Sequence, residues 1–142
     1  MNARRHVLTW GAALLCALAT PLAHAHDDAT LDSMQTPHGG QVRMAGPLHL
    51  ELVLDKHGSE VKERAVTLYL SDHADQAVPA KGATGSITLL MGKDKVSAPL
   101  KAEGDNRLAA RLRYAAVPGI KAVVTVTLPG QQAQQARFTP VR

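Results

Sequence analysis

Residues 48–54, Leu48-His49-Leu50-Glu51-Leu52-Val53-Leu54, have the clearest secondary-structure pattern in this chain. Leucine recurs at every second position, and His49, Glu51 and Val53 lie between the leucines. A period of two places successive side chains on opposite faces of an extended chain, so the stretch predicts a half-buried β-strand. The leucine face would line a core, and the other face would carry His49 and Glu51 together.

The same alternation recurs toward the C-terminus. It predicts further strands near 66–71, 87–91, 96–100, 108–112, 124–128 and 135–139, with polar or Pro-Gly turns between them. Turn signals about every 8–12 residues are typical of antiparallel sandwiches. We therefore predict an all-β domain over 41–142, an antiparallel immunoglobulin-like β-sandwich of about seven strands. A small open barrel is the alternative.

Residues 1–25 have the pattern of a secretory signal peptide. Arg4 and Arg5 precede an apolar run of 13 residues, Val7 to Ala19, which is shorter than the ~20 residues that span a bilayer. Ala23-His24-Ala25 then predicts cleavage before His26, with an uncleaved anchor as the alternative. Residues 26–40 are polar and predict a flexible, histidine-containing arm. The chain is thus expected to be exported to the periplasm, with no membrane span after cleavage.

Composition excludes several classes of function. Aromatic residues make up 3% of the chain, too few for recognition by base stacking. Removal of residues 1–25 takes away two arginines and no acidic residue, so the formal net charge falls from +4 to +2. A charge that small predicts no nucleic-acid partner. The sequence contains no nucleophile elbow, HExxH, P-loop or GxGxxG motif, and we predict no enzyme.

The histidines of the expected mature chain are unevenly placed. All five lie in residues 26–73, at His26, His38, His49, His57 and His73. Imidazole is a good ligand for Cu and Zn, and the thioether of methionine suits Cu(I). This skew predicts a bound Cu or Zn ion, although imidazole is also an ordinary surface group.

Four residues are candidate metal ligands. His26 would begin the mature chain and chelate through its amine and its ring. His38 precedes Gly39-Gly40, where the backbone can turn tightly beside a ligand. His49 and Glu51 share the polar face of their strand, and each also fits an ordinary solvated sheet face. The turn at Asp72-His73-Asp75 offers a further cation site, but aspartate more often caps its own turn.

Three short segments carry a resemblance. His38-Gly39-Gly40, then His49-Leu50-Glu51-Leu52-Val53, then Leu68-Tyr69-Leu70-Ser71-Asp72-His73 follow each other in this order. The order resembles small exported β-domain proteins of heavy-metal resistance and efflux systems, and the N-terminal β segment of periplasmic adaptor subunits of heavy-metal efflux pumps. The resemblance covers roughly residues 38–138. It implies a periplasmic β domain that works beside a metal efflux system, with His38, His49 and Glu51 as candidate ligands.

Two hypotheses of function follow. The first is a periplasmic metal-binding protein, a buffer or chaperone for Cu or Zn. The second is a metal-free protein–protein interaction domain that uses an exposed sheet edge or the arginines Arg107, Arg111 and Arg113, which alternate with smaller residues and so share one face.

Overall fold

The computed structural model describes residues 28–141. The predicted signal peptide at 1–25 and the candidate ligand His26 lie outside these residues. The elements are one six-residue helix and eight strands: α1 Asp28–Ser33, β1 Gln41–Ala45, β2 Leu48–Leu54, β3 Lys62–Ser71, β4 Thr84–Met91, β5 Asp94–Ala102, β6 Arg107–Tyr114, β7 Lys121–Thr127 and β8 Gln134–Phe138. The prediction of an all-β, antiparallel fold is confirmed.

The strands form one sheet that curls until its two edges nearly meet. Their order is β1-β2-β3-β6-β5-β4-β7-β8, and every neighbouring pair is antiparallel. The edge strands β1 and β8 contact each other. At this seam the Gln41 side chain accepts a hydrogen bond from the backbone N–H of Thr139, with 2.7 Å between the heavy atoms. The sheet is therefore barrel-like.

The core fills the inside of this sheet. The inward positions of β2 alternate as predicted, and Leu50 and Leu52 are fully buried. They pack in one cluster with inward side chains of the other strands, among them Leu68, Ile87 and Val124. Burial of such side chains contributes about 1.5–3 kcal/mol each. The outward side chains of β2 are thereby held on a rigid support.

The predicted immunoglobulin-like sandwich of about seven strands is not confirmed. The structure has eight strands in a single barrel-like sheet, and the strand that the sequence prediction lacked is β1. The inward positions of β1 are Gln41, Arg43 and Ala45, so its alternation carries no hydrophobic signal. Arg43 can face inward because Asp32 of α1 accepts hydrogen bonds from its guanidinium at 2.8 and 3.2 Å.

A buried arginine organises the loop after β2. Arg64 is 1% exposed. Its guanidinium donates to the backbone carbonyls of His57, Gly58, Glu60 and Tyr114 and pairs with the carboxylate of Asp55 at 3.2 Å. This one side chain therefore ties the loop at 57–60 to the end of β6.

The part of the chain that the structure describes includes no helix with the length and apolar character needed to cross a membrane.

Candidate functional site

The segment before β1 crosses the outer face of β2 and is fixed there by Glu51. One carboxylate oxygen of Glu51 accepts the backbone N–H groups of His38 and Gly40, each at 3.0 Å. The other lies 2.7 Å from Nδ1 of the His38 ring. Gly40 allows this close approach, because a Cβ there would lie 2.6 Å from the backbone oxygen of Leu52. The covering segment makes Glu51 buried rather than solvent-facing, although it lies on the polar face of β2.

The hydrogen bonds also set the charge of Glu51. Burial opposes ionisation of the carboxyl, but the hydrogen bonds from His38 and Gly40 outweigh burial, so the pKa of Glu51 is lowered from its usual value. A carboxylate with these donors remains ionised at neutral pH and holds the His38 ring in one orientation. The ring stacks on Tyr69, with centroids 3.5 Å apart and planes within 3° of each other.

His49 lies two residues earlier on the same face of β2. Its Nδ1 is 3.2 Å from Oδ1 of Asp75, in the loop after β3. Its Nε2 is buried, and no group of the described chain hydrogen bonds to it. An unpaired buried polar atom costs about 1–3 kcal/mol, so this nitrogen is a site where a ligand would be stabilising.

His73 comes from the same loop as Asp75 and lies against His49. The two rings stack with centroids 4.9 Å apart and planes at 27°. Nε2 of His73 is 3.0 Å from the backbone carbonyl of Gly46, in the turn between β1 and β2. The loop therefore delivers both an imidazole and a carboxylate to the outer face of β2.

These partners fix the tautomer of each neutral ring. A carboxylate and a backbone carbonyl only accept, so the ring nitrogen that faces them must carry the hydrogen. The neutral ring then has its lone pair on the other nitrogen: Nε2 in His38, Nε2 in His49 and Nδ1 in His73. All three rings line one cavity of about 570 Å³ on the outside of the sheet. The cavity is therefore lined by three imidazoles. In each neutral ring, the nitrogen that has the lone pair is the one that does not face the hydrogen-bond acceptor.

The structure brings three of the four predicted ligands together and adds two residues. His38, His49 and Glu51 line the same cavity, while His26 lies outside the described residues. Both carboxylate oxygens of Glu51 already accept hydrogen bonds. In this arrangement Glu51 orients His38.

His73 and Asp75 join the candidate site in the structure, although the sequence analysis did not place them among the four candidate ligands. Their turn is capped by Asp72, whose carboxylate accepts the backbone N–H groups of Ala74 and Gln76 at 2.8 and 2.9 Å. The prediction that aspartate caps this turn is thus confirmed, and the capping leaves His73 and Asp75 to contact β1–β2. The sequence signal for His73 and Asp75 is the second interpretation of this turn, as a cation site.

Across residues 28–141, no three His, Cys, Asp or Glu side chains converge closely enough to form a metal site by themselves.

Comparison of the chain with protein-family models, with curated proteins and with solved structures found no match, so the predicted resemblance to heavy-metal efflux proteins stays a prediction.

Proposed function

We propose that this chain is a periplasmic metal-binding protein, a buffer or chaperone for Cu or Zn linked to heavy-metal efflux or resistance. One observation carries the proposal. His49 keeps a buried Nε2 without a hydrogen-bond partner in the described chain while its Nδ1 faces the Asp75 carboxylate. Histidines that bind metals commonly use this arrangement, because a carboxylate on one nitrogen orients the ring and makes the other nitrogen a stronger donor.

His38 supports the proposal by repeating the arrangement in the same cavity. Its Nδ1 faces Glu51 at 2.7 Å, and its side chain is 39% exposed, so a metal ion can reach its other nitrogen. Imidazole nitrogen binds Cu and Zn well. In the proposed function His38 and His49 are ligands, Glu51 and Asp75 are positioning residues, and His26 is a further ligand if cleavage exposes it. Binding and release are the whole activity, and no catalytic residue is proposed.

The cellular setting of the proposal rests on the sequence. The pattern of residues 1–25 supports export. The order of the segments at 38–40, 49–53 and 68–73 supports a metal efflux system as the partner.

A metal-binding measurement on the tag-free, exported protein tests the proposal. Native mass spectrometry gives the mature N-terminus and the stoichiometry, and competition with a chromophoric chelator gives the affinity for Cu(I), Cu(II) and Zn(II). We expect one retained ion in the wild type. We expect His49→Ala to lose more than about tenfold in metal affinity, since loss of a group that only hydrogen bonds to a ligand already lowers the affinity about tenfold. His57→Ala, in an exposed loop, is the matched control and should bind like the wild type. Absence of a retained ion, or equal affinities for both variants, would contradict the proposal.

A metal-free interaction domain is the second candidate, and one observation favours it. In the described chain β5 and β6 are paired in register only at Lys101↔Ala109 and Ala102↔Leu108, so their remaining residues leave backbone edges open. A cleft of about 600 Å³ lies there, with Lys101 and Arg111 in its lining. Arg107, Arg111 and Arg113 are all exposed on one face of β6, as predicted. An extended acidic segment would add to such an edge.

The second candidate predicts a binding event that is independent of the histidines. An extended acidic peptide should shift the backbone amide resonances of residues 110–114, and the double variant His38→Ala/His49→Ala should bind it like the wild type. A peptide that leaves these amides unchanged would exclude this edge as a docking site.

A further inference from the structure

The cavity on the outer face of β2 has the size of a small-molecule site. Its volume is about 570 Å³, and pockets of about 300–1,000 Å³ typically hold organic ligands. The segment that leads from α1 to β1 contributes residues 34–38 to one wall, and strands β2 and β3 contribute to another. The cavity therefore has room for a molecule much larger than a single ion.

The charge of this cavity is negative. Its lining includes two carboxylates, Glu51 and Asp75, and no lysine or arginine is among the described residues that line it. When the imidazoles of the lining are neutral, the carboxylates supply all of its formal charge. Such a lining attracts a positively charged ligand and repels an anion.

The polar atoms that can bind a ligand here are acceptors. Asp75 is 80% exposed, and its contact with Nδ1 of His49 uses only Oδ1, so Oδ2 can accept a hydrogen bond from a ligand. Nε2 of the neutral His49 ring is a second acceptor, although a buried one. A ligand that fits this end of the cavity must therefore donate hydrogen bonds.

The rest of the cavity offers aromatic and apolar surface. The rings of His38 and Tyr69, stacked 3.5 Å apart and almost parallel, both line it. Aromatic faces attract an ammonium group that lies within about 6 Å of the ring centre. Leu31 and Met34 line the cavity as well, and Met34 is 54% exposed. This surface suits the apolar body of a ligand rather than its polar end.

We infer that the cavity binds an organic cation, a primary ammonium group attached to an apolar or aromatic body. The ammonium group donates to Oδ2 of Asp75, and the body packs against Tyr69 and Met34. A primary ammonium has three N–H donors and no acceptor, which matches the acceptors at this end of the cavity. The inference goes beyond the proposed function, because this ligand binds without a metal ion.

Three probes of similar size and different charge test the inference: benzylammonium, benzyl alcohol and benzoate. Isothermal titration of the tag-free exported chain with EDTA present gives each affinity in the absence of metal. We expect benzylammonium to bind about tenfold more tightly than benzyl alcohol, because its hydrogen bonds are charge-assisted, and benzoate to bind most weakly. Asp75→Asn should lose about fivefold in affinity for benzylammonium, since an exposed ion pair is modest in strength. Asp94→Asn, at an exposed position of β5, is the matched control and should bind like the wild type.

Methyl NMR of the wild type locates the bound probe. The methyl resonance of Met34 should shift on addition of benzylammonium, and the methyl resonances of Val61 should not. Val61 is the control for non-specific adhesion, because it is 61% exposed and lies before β3, outside the cavity lining.

Each other outcome overturns the inference. Equal affinities for benzylammonium and benzyl alcohol would show an apolar pocket without preference for a cation. Tightest binding of benzoate, equal losses in Asp75→Asn and Asp94→Asn, or equal shifts at Met34 and Val61 would each contradict the assigned ligand or its position. A protein that retains a metal ion but does not bind benzylammonium leaves the proposed function standing, and the reverse result leaves only the inference.

Discussion

Nδ1 of His49 lies 3.2 Å from the carboxylate of Asp75, a residue 26 positions later in the chain. The contact joins the polar face of β2 to the loop that follows β3. It fixes the His49 tautomer and leaves Nε2 buried and, among the described residues, without a hydrogen-bond partner. The proposed metal site depends on this relationship.

Asp75→Asn should weaken metal binding without removing a ligand. The amide side chain no longer supplies the negative charge that strengthens His49 as a donor. Loss of a group that hydrogen bonds to a metal ligand commonly lowers the metal affinity by about 10- to 100-fold. Because Asp75 is 80% exposed, we expect a loss of Cu(I) affinity near the lower value, about tenfold. Chelator competition measures the change. Asp94→Asn, at the exposed first residue of β5, is the control, and equal affinities for the two variants would show that Asp75 does not orient His49.

Glu51→Gln should change how the free energy of unfolding depends on pH. The pKa of Glu51 is lowered below its usual value of 4.5 in the folded protein. Its contribution to stability is therefore complete above pH 4.5 and is lost as the pH falls through the folded pKa. We expect the wild type to be more stable than Glu51→Gln at pH 7, and the difference to shrink below pH ~4.5. Urea unfolding across this range measures it, and a difference independent of pH would contradict the assignment.

Gly40→Ala should release the segment that carries His38. A Cβ at this position would meet the backbone oxygen of Leu52 at 2.6 Å and Cγ of Glu51 at 2.8 Å. Such overpacking costs about 1–3 kcal/mol. The segment must then move outward, and the His38 ring should lose the ring-current shift caused by Tyr69.

Gly39→Ala is the matched control for this release. Gly39 has open space where a Cβ would be, although its φ of +70° also makes alanine unfavourable. The His38 ring shift should persist in this variant. If both variants keep the shift, the close approach of Gly40 to β2 is not what holds His38.

Arg64→Ala should be the most destabilising of these substitutions. It removes the guanidinium that donates to four loop and strand carbonyls and pairs with Asp55, whose carboxylate keeps only the backbone N–H of His57 as a donor. Loss of the donor to a buried acceptor costs about 1–3 kcal/mol, and the truncation also removes the packing of a residue that is 1% exposed. Arg113→Ala, at an exposed position of β6, should change the free energy of unfolding by less than about 0.5 kcal/mol. Urea unfolding of both variants checks the contrast, and similar losses would mean that Arg64 does not organise the loop.

The sequence was sufficient to predict elements with a strong period of two. The LHLELVL stretch is β2, and its leucines face the core. The shared face of His49 and Glu51 followed from the same alternation, as did the shared, exposed face of Arg107, Arg111 and Arg113 on β6. In each case the pattern lies within one strand, so local periodicity contains the information.

Features that depend on long-range contacts could not be predicted. The strand β1 lacks a hydrophobic face because Gln41 and Arg43 turn inward, toward partners at Thr139 and Asp32. Glu51 is buried because residues 38–40 return across β2. The approach of His73 and Asp75 to His49 requires the β2–β3 register, and register cannot be read from one strand.

Nitrogen-15 NMR of the histidine rings during titration with Cu(I) tests directly whether Nε2 of His49 binds the metal. We expect Nε2 of His49 to move to the position of a metal-bound nitrogen, its Nδ1 to stay protonated against Asp75, and the His57 ring not to respond. A His49 ring that is unchanged at saturating metal, or a response at His57 alone, would contradict the proposed role of His49 as a ligand.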